Sequence, residues 1–237
     1  MVGFDTATDE TVVGAIDGAE NVFERAHPPE QRPVHSQTLL ATVEEAVAEL
    51  GGWGSVDRIA VGIGPGTFTG IRIGVATAAG LAASAGCQAV GVSTLAALAR
   101  TIGMTTDRDV MALIDARRGE VFGGLFERTG TELEAPFACG PEQLIDRLRA
   151  AGAAGPVPLV AGPGAVRFRD ELLRAGFETE PAGSPVHRLA GRSLCELGAT
   201  ATRTGPKTLE PLYLRIPDAQ LWLERDGSTP GQRPAQG

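Results

Sequence analysis

One short pattern occurs twice in this 237-residue chain, 110 residues apart. In the first copy, Val2–Asp5 is an apolar run that ends in an aspartate and is followed by a polar turn and a second apolar run. The second copy begins at residues 112–115 and has the same order of segments. Each copy is typical of a β-hairpin, and two unrelated hairpins that look alike by chance stay open as an alternative. The repeat predicts an α/β chain of two duplicated halves with mixed sheets, residues 1–105 and 106–226, before a disordered tail at 227–237.

The remaining elements follow from the spacing of apolar residues and turns. Apolar runs predict strands at 2–5, 11–16, 21–25, 58–63, 88–92 and 157–161. Helical spacing predicts helices at 36–50 with Ser36 as N-cap, 71–85, 142–151, 166–175 and 186–200. A strand meander followed by helix, strand and helix, in two copies, resembles the actin-like ATPase architecture (ASKHA) of actin, heat-shock chaperones and sugar kinases. This inference is an analogy of fold, so function must be argued from the sites.

Residues 73–99 carry no charged side chain, which raises the question of a membrane span. The segment consists mostly of Ala, Gly, Ser and Thr and is interrupted by Gly86, Gln88 and Gly91, so its transfer into lipid is only weakly favourable. We therefore expect a buried helix followed by a buried strand, and no membrane association.

Scarce residue types exclude several chemistries. Lys207 is the only lysine and follows a proline, so neither a P-loop nor Schiff-base catalysis is expected. The three histidines, His27, His35 and His187, and the three cysteines show none of the short ligand spacings of zinc sites, so no metal is expected. A net charge of −8 disfavours direct binding of a polyanion. Separate cysteines and the lack of a signal core at the start predict a reducing, cytoplasmic location.

The most distinctive segment follows the predicted strand at 58–63. Its sequence is Gly64, Pro65, Gly66, Thr67, Phe68, Thr69 and Gly70, directly before the helix at 71–85. Glycines allow a close approach of the backbone to a ligand or a neighbouring chain, Thr69 is placed to cap the helix, and the amides at a helix N-terminus bind anions. A plain strand-to-helix turn needs fewer glycines, so we predict a structural or anion-binding role for this loop.

Asp5 and Thr6 end the first predicted strand, and Asp115 stands at the matching point of the second half. In nucleotide-binding proteins of the actin-like architecture, a carboxylate at this position holds Mg²⁺ indirectly. Asp and Thr also cap ordinary tight turns, so both interpretations stay open. We treat these three residues as remnants of a phosphate site. Arg117 and Arg118 crowd the place of a γ-phosphate, so ATP cleavage is not expected, although the two arginines could bind an anion or a partner.

Two further features have simple structural interpretations. His35 adjoins Ser36, but no acid is placed to orient its ring, so a capping or surface histidine is expected rather than a catalytic dyad. Cys87, Cys139 and Cys195 are expected to be small buried residues.

The helix at 71–85 has a surface almost free of side chains, formed by Gly74, Ala78, Ala79, Gly80 and Ala83. Such a surface packs closely against the protein's own sheet or against a helix of another subunit, and both remain open. Packing within the protein's own core is the default interpretation, and the small residues Ala41, Ala46 and Ala48 of the preceding helix strengthen the case for a partner helix.

Taken together, these segments resemble the bacterial TsaB family, also called YeaZ, of the actin-like ATPase superfamily. The resemblance is carried by residues 5–8, 35–40, 60–76, 91–95, 114–121 and 211–215. It covers nearly the whole chain up to Arg215 and is most specific in the glycine loop. The chain departs from the family in having fewer residues before Asp5 and in the segment after Arg215.

The resemblance implies a role in forming N6-threonylcarbamoyladenosine (t6A) at adenosine 37 of tRNAs that read codons beginning with A. It implies a non-catalytic scaffold that binds the paralogue TsaD and the ATPase TsaE, contacts tRNA mainly through that complex, and can form a homodimer when alone. It implies no cofactor for this chain, while a nucleotide at the TsaD interface stays open. The family's partner surface maps onto Ser36, Leu39, Leu40, Val43, Val47, Gly70, Arg72, Gly74, Ala76, Ala79, Gly80 and Ala83.

Two other classes compete with the scaffold. An ATP- and Mg²⁺-dependent small kinase or ATPase would use Asp5 and Asp115 around the metal. A peptidase would need a metal or nucleophile constellation that this sequence does not offer.

Overall fold

The hairpin at the start of the chain lies in a five-stranded mixed sheet. The computed structural model describes residues 1–28, 35–202 and 205–215. The strands of this first sheet are β1 (Val2–Asp5), β2 (Thr11–Asp17), β3 (Glu20–His27), β4 (Arg58–Gly62) and β5 (Gln88–Val92). They lie in the order β3-β2-β1-β4-β5, with β1, β2 and β3 antiparallel and with β4 and β5 parallel to β1.

The second sheet repeats this order without a fifth strand. Its strands are β6 (Val110–Asp115), β7 (Val121–Phe126), β8 (Phe137–Cys139) and β9 (Leu159–Ala161), in the order β8-β7-β6-β9. Both hairpins join two antiparallel strands, and both sheets continue on the far side with a parallel strand. The predicted α/β fold with two mixed sheets is confirmed. The division at residue 105 stays a prediction, and the predicted tail lies outside the described residues.

Helices cover both faces of the sheets. They are α1 (His35–Glu49), α2 (Phe68–Ala85), α3 (Thr94–Gly103), α4 (Pro141–Ala154), α5 (Pro163–Arg167), α6 (Arg169–Arg174) and α7 (Gly191–Thr200). Along β1, Val2 and Phe4 face α1, whereas Gly3 faces α7 on the other side, because successive side chains of a strand point to opposite faces. Helix α3 packs on β6, so each sheet receives a helix from the other half of the chain and the two halves share one core.

Helix α7 is held at both ends by side chains of the first sheet. The carboxylate of Glu24 accepts hydrogen bonds from the amides of Gly191 (2.6 Å) and Arg192 (2.9 Å). At the other end, the guanidinium of Arg58 donates to the carbonyl oxygens of Gly198 and Ala201. A negative group at the N-terminus and a positive group at the C-terminus both complement the helix dipole. The second half is therefore fixed to the first by charge as well as by packing.

Several predicted helix boundaries were wrong. Helix α2 begins at Phe68, three residues early, and α1 already contains Ser36, which is therefore not its N-cap. The predicted helix at 166–175 is two short helices, because Phe168 leaves helical geometry (φ −107°, ψ 25°). In the segment at 186–200, only the C-terminal part, α7, is α-helical, because the backbone of Ala190 is extended. Helix α3 was not predicted from the sequence, although Ser93 caps it by accepting a hydrogen bond from the amide of Ala96.

Candidate functional site

Asp5, the first predicted phosphate-site residue, is fully buried in a network of the chain's own groups. Its Oδ1 accepts a hydrogen bond from the amide of Ala7 (2.7 Å), and its Oδ2 accepts one from the hydroxyl of Thr94 (2.6 Å). Burial raises the pKa of the carboxyl above its ordinary value, and these hydrogen bonds oppose that rise. Oδ2 also lies against the backbone of Gly62, where an added Cβ would be 1.6 Å away. Both oxygens of Asp5 are thus occupied by the protein itself.

The glycine loop closes onto the turn that follows Asp5. A Cβ on Gly66 would lie 2.2 Å from the carbonyl oxygen of Ala7, and one on Gly70 would lie 1.8 Å from that of Thr6. The Thr6 hydroxyl donates to the carbonyl of Gly70 (2.7 Å). The glycines are therefore required for contact between two segments of the same chain, which agrees with the structural alternative for this loop.

The helix cap in this loop is Thr67, which corrects the prediction for Thr69. The Thr67 hydroxyl accepts a hydrogen bond from the amide of Gly70 (3.2 Å), while its own amide donates to the carbonyl of Ala7 (2.7 Å). Thr69 is an exposed residue inside α2. Because Thr67 satisfies one amide at the start of α2 internally, that helix end is partly closed to an anion.

The second predicted turn carries an arginine that reaches across to the first half. Arg117 has a left-handed backbone (φ 63°), as does Arg118 (φ 54°). The guanidinium of Arg117 donates to both carboxylate oxygens of Asp9, 2.6 Å to Oδ1, and lies 3.6 Å from Asp115. Left-handed backbone is unfavourable for a residue with a side chain, so surrounding contacts must hold it. Arg117 thereby places a positive charge between the two strand ends.

A cleft of about 210 Å³ lies between the two sheets. Its walls are mostly apolar, and its lining includes the carboxylates of Asp9, Glu10 and Asp115. Arg188 of the second half binds Glu10 of the first at 3.0 Å, next to the Arg117–Asp9 pair. Small-molecule sites usually measure about 300–1,000 Å³. The cleft alone is smaller than that range, and two ion pairs join the two halves of the chain beside it.

Residues 211–215 cross the molecule on the side that carries the cleft, and we call them the strap. The amide of Leu212 donates to the carbonyl of Ile63 beside β4 (2.8 Å). At the other end, Arg215 donates to the carbonyl of Ala116 (3.2 Å) and pairs with Glu120. The strap lines a second depression of about 200 Å³ with Arg117, Arg118 and the glycine loop. It therefore connects the loop after β4 with the second hairpin.

The predicted partner surface divides into buried and exposed residues. Leu39, Val43 and Val47 of α1 are at most 2% exposed and pack on the first sheet, and Gly70 and Gly74 face Thr6. These five residues are interior, which corrects their placement on a surface, because the apolar stripe of α1 covers its own sheet. The exposed members are Ser36, Leu40, Arg72, Ala76, Ala79, Gly80 and Ala83, with Leu40 53% exposed.

Helix α2 is apolar yet mostly uncovered. Only five of its 18 residues are buried, and Arg72 is its one charged residue. Its length and composition alone would suffice for a membrane span, but Ile71 and Ala78 pack on the first sheet within a mixed fold. The prediction of a buried helix is therefore correct for one face of α2 and wrong for the opposite face. We call its outward residues Arg72, Ala76, Ala79, Gly80 and Ala83, together with Leu40 of α1, the docking face.

His35 and two of the three cysteines lie in the interior of the protein. His35 is 5% exposed, which corrects the surface expectation, and its Nδ1 shares a hydrogen bond with the Thr11 hydroxyl (2.8 Å). Burial lowers the pKa of His35. Cys139 and Cys195 are buried as predicted, and burial raises the pKa of Cys195 to about 12, whereas Cys87 is half-buried. Within the described ranges, no three His, Cys, Asp or Glu side chains are placed to share a metal ion.

Four residues that shape the site were missed from the sequence: Asp9, Glu10, Thr94 and Arg188. Their partners lie between 89 and 178 positions away along the chain, so no local pattern indicates them. Of the four, Thr94 had a local signal: it lies in the segment 91–95 that carries the family resemblance, and Ser93 and Thr94 after a buried strand are typical of a helix start.

Several known proteins resemble this chain in sequence. The family model for TsaD, tRNA N6-adenosine threonylcarbamoyltransferase, matches residues 20–151. The "tRNA threonylcarbamoyladenosine biosynthesis protein TsaB" of Escherichia coli K12 is 31% identical over 91% of this chain and 94% of its own length. The protein of that name in Bacillus subtilis is 31% identical over 71% of this chain and 74% of its own.

Two solved structures from Pseudomonas aeruginosa cover 90% of this chain and 98% of their own. One, described as an uncharacterized protein with similarity to peptidase YeaZ, has a TM-score of 0.72 at 27% identity. The other, YeaZ, has a TM-score of 0.70 at 25% identity. The fold and the cleft between its sheets define an α/β protein of the actin-like architecture. Within that class, the chain belongs to the TsaB family, also called YeaZ, as its sequence motifs predicted.

Proposed function

We propose that this protein serves t6A formation in tRNA as a non-catalytic subunit that docks the TsaD-type transferase. The observation that carries this proposal is the docking face: an uncovered, apolar helix surface made of small residues. Exposed apolar surfaces of this kind mark sites of protein association, and small side chains let a partner helix approach closely. The names of the relatives, which refer to threonylcarbamoyladenosine biosynthesis, supply the pathway.

The non-catalytic part of the proposal is supported by the cleft. Asp5 is engaged on both oxygens, and the Arg117 guanidinium lies between Asp9 and Asp115. An ATP-dependent enzyme would need open carboxylates there for Mg²⁺ and room for three phosphates. The arrangement favours a frame that holds its own halves together over one that turns over a nucleotide.

The same surface and the charge of the chain support the proposed partners. A TsaD-type protein is the proposed occupant of the docking face, with a TsaE-type ATPase joining the pair. A net charge of −8 disfavours a main tRNA contact on this subunit, so tRNA is reached through the complex, in the cytoplasm. A second copy of the chain would use the same apolar face in the absence of the partner.

Affinity measurements with the cognate TsaD-type protein test this proposal. Ala79→Trp and Ala83→Trp each add a large side chain to the docking face and should raise the dissociation constant about tenfold or more. Ala150→Trp, at an exposed alanine of α4, is the matched control and should leave affinity unchanged. Unimpaired binding by both docking-face variants would remove α2 from the interface.

Calorimetry of the isolated protein with ATP and Mg²⁺ examines the kinase hypothesis. We expect no binding at micromolar concentration. Micromolar binding that Asp115→Asn abolishes would instead favour an ATP-dependent enzyme.

A further inference from the structure

We propose that Phe68, Arg72 and Tyr213 form one anchor at the start of the docking face, and that this anchor receives a carboxylate side chain of the protein partner. The inference rests on the proposed docking function and specifies the chemistry of the partner's surface. It also assigns a role to the strap, whose sequence motif the docking proposal does not otherwise use.

The three side chains form a stack on the protein surface. The guanidinium carbon of Arg72 lies 3.8 Å from the centroid of the Phe68 ring, and the rings of Phe68 and Tyr213 are 5.3 Å apart. Nε of Arg72 donates to the Tyr213 hydroxyl at 3.3 Å. Phe68 and Tyr213 are nevertheless 36% and 38% exposed. Exposed aromatic residues stacked with an arginine are the residue types that dominate binding energy at protein interfaces.

The guanidinium determines what the partner must provide. Among the described residues, no carboxylate lies within ion-pair distance of Arg72, although most other described arginines near the cleft have one. Its Nε donates to Tyr213, and among the described residues its two terminal nitrogens make no hydrogen bond, so their donors remain for a partner. If a partner covers α2, this charge loses water and needs an acceptor, because an unpaired buried charge is costly. A carboxylate accepts two parallel hydrogen bonds from a guanidinium and is the matching group.

The surroundings favour a protein carboxylate over an RNA phosphate. The rest of the outward face of α2 is uncharged, which suits a protein surface. On neighbouring α1, Glu44 and Glu49 are exposed, and they would repel an RNA backbone that followed the face. A single carboxylate seated on Arg72 avoids that repulsion, because it does not extend along α1.

The strap that carries Tyr213 to the docking face is fixed at both ends. The Leu212 amide is bound to Ile63, and Arg215 is bound to the carbonyl of Ala116 and to Glu120 in the second hairpin. Between these attachments the ring of Tyr213 is placed against Phe68. The strap thus extends the docking face with a side chain from the C-terminal part of the chain.

The test measures affinity for the TsaD-type partner at low and high salt. Arg72→Glu should raise the dissociation constant at least about tenfold, Arg72→Gln somewhat less, and Tyr213→Phe about threefold. Arg149→Glu, which changes charge equally at an exposed position of α4, is the control and should change affinity less than about twofold. Arg72→Gln should also weaken the salt dependence that the wild-type protein shows. Melting temperatures of all variants should equal that of the wild type, since the replaced groups are exposed.

Each outcome decides between the proposals. If the wild type binds the partner and Arg72→Glu binds it with the same affinity, the anchor is overturned and the docking proposal stays intact. Absence of wild-type binding would overturn the docking proposal and the anchor with it. If Arg72→Glu left partner affinity unchanged but weakened tRNA binding by the isolated protein, the stack would belong to a nucleic-acid site, and the anchor would be refuted.

Discussion

Arg117 and Asp9 face each other across the cleft, and the guanidinium donates to both oxygens of the carboxylate. The arginine belongs to the turn between β6 and β7, and the aspartate to the turn between β1 and β2, so the pair joins the two hairpins of the molecule. Arg117 holds this position with a left-handed backbone that a glycine would adopt more readily. The contact places protein charge beside the cleft between the two sheets.

A double-mutant cycle on Asp9→Asn and Arg117→Gln measures this contact. Both side chains are partly exposed, so we expect a coupling free energy of about 0.2–1 kcal/mol, which decreases at high salt. Asp146 and Arg149, an exposed pair on α4, form the control cycle and should show no measurable coupling. If both cycles gave the same value, the Arg117–Asp9 pair would not hold the cleft.

Two glycines of the same helix should respond to alanine in opposite ways. Gly70→Ala places a Cβ 1.8 Å from the Thr6 carbonyl oxygen, so the loop must move, and we expect a loss of several kcal/mol in unfolding free energy or a failure to fold. Gly80→Ala meets no atom within 4 Å and should stabilise the protein by about 0.5–1 kcal/mol, because alanine favours helices. Urea denaturation compares them, and equal effects would refute the close approach of loop and turn.

The buried carboxyl of Asp5 should make stability depend on pH in a defined direction. Burial raises its pKa in the folded protein above the ordinary 3.8, so the folded protein keeps a proton that the unfolded chain has released. Its stabilising contribution is therefore complete below about pH 3.8 and is lost as pH rises through the folded pKa. The unfolding free energy of the wild type minus that of Asp5→Asn should thus be larger near about pH 4 than near about pH 7. A difference that grew toward neutral pH would contradict this environment for Asp5.

Glu24 should contribute to stability by capping α7. Glu24→Ala removes the acceptor of the Gly191 and Arg192 amides, and we expect a loss of about 1–2 kcal/mol in unfolding free energy. Glu20→Ala, at an exposed position of the same strand, is the control and should stay within about 0.5 kcal/mol of the wild type. Equal effects of the two substitutions would show that the cap does not stabilise the protein.

Sequence reasoning succeeded where the signal is local. The ends of β1 and β5 were predicted correctly, because turns flank short apolar runs there. It failed where the contacts of a residue depend on packing between distant parts of the chain. Periodicity shows that Leu39 and Val43 share one face of α1, but it cannot tell whether that face meets the protein's own sheet or a partner. The bond between Thr94 and Asp5 likewise joins residues 89 positions apart, and only the folded sheet brings them together.

The most direct test of the account measures t6A in tRNA by mass spectrometry after replacement of the chromosomal gene. We expect t6A to fall strongly when Ala79→Trp and Ala83→Trp are combined, because the docking face is then blocked. We expect normal t6A with Asp115→Asn, which changes the cleft and leaves the docking face intact. Normal t6A with the blocked face, or loss of t6A with Asp115→Asn, would contradict a subunit that acts by docking and would favour one that acts through its cleft.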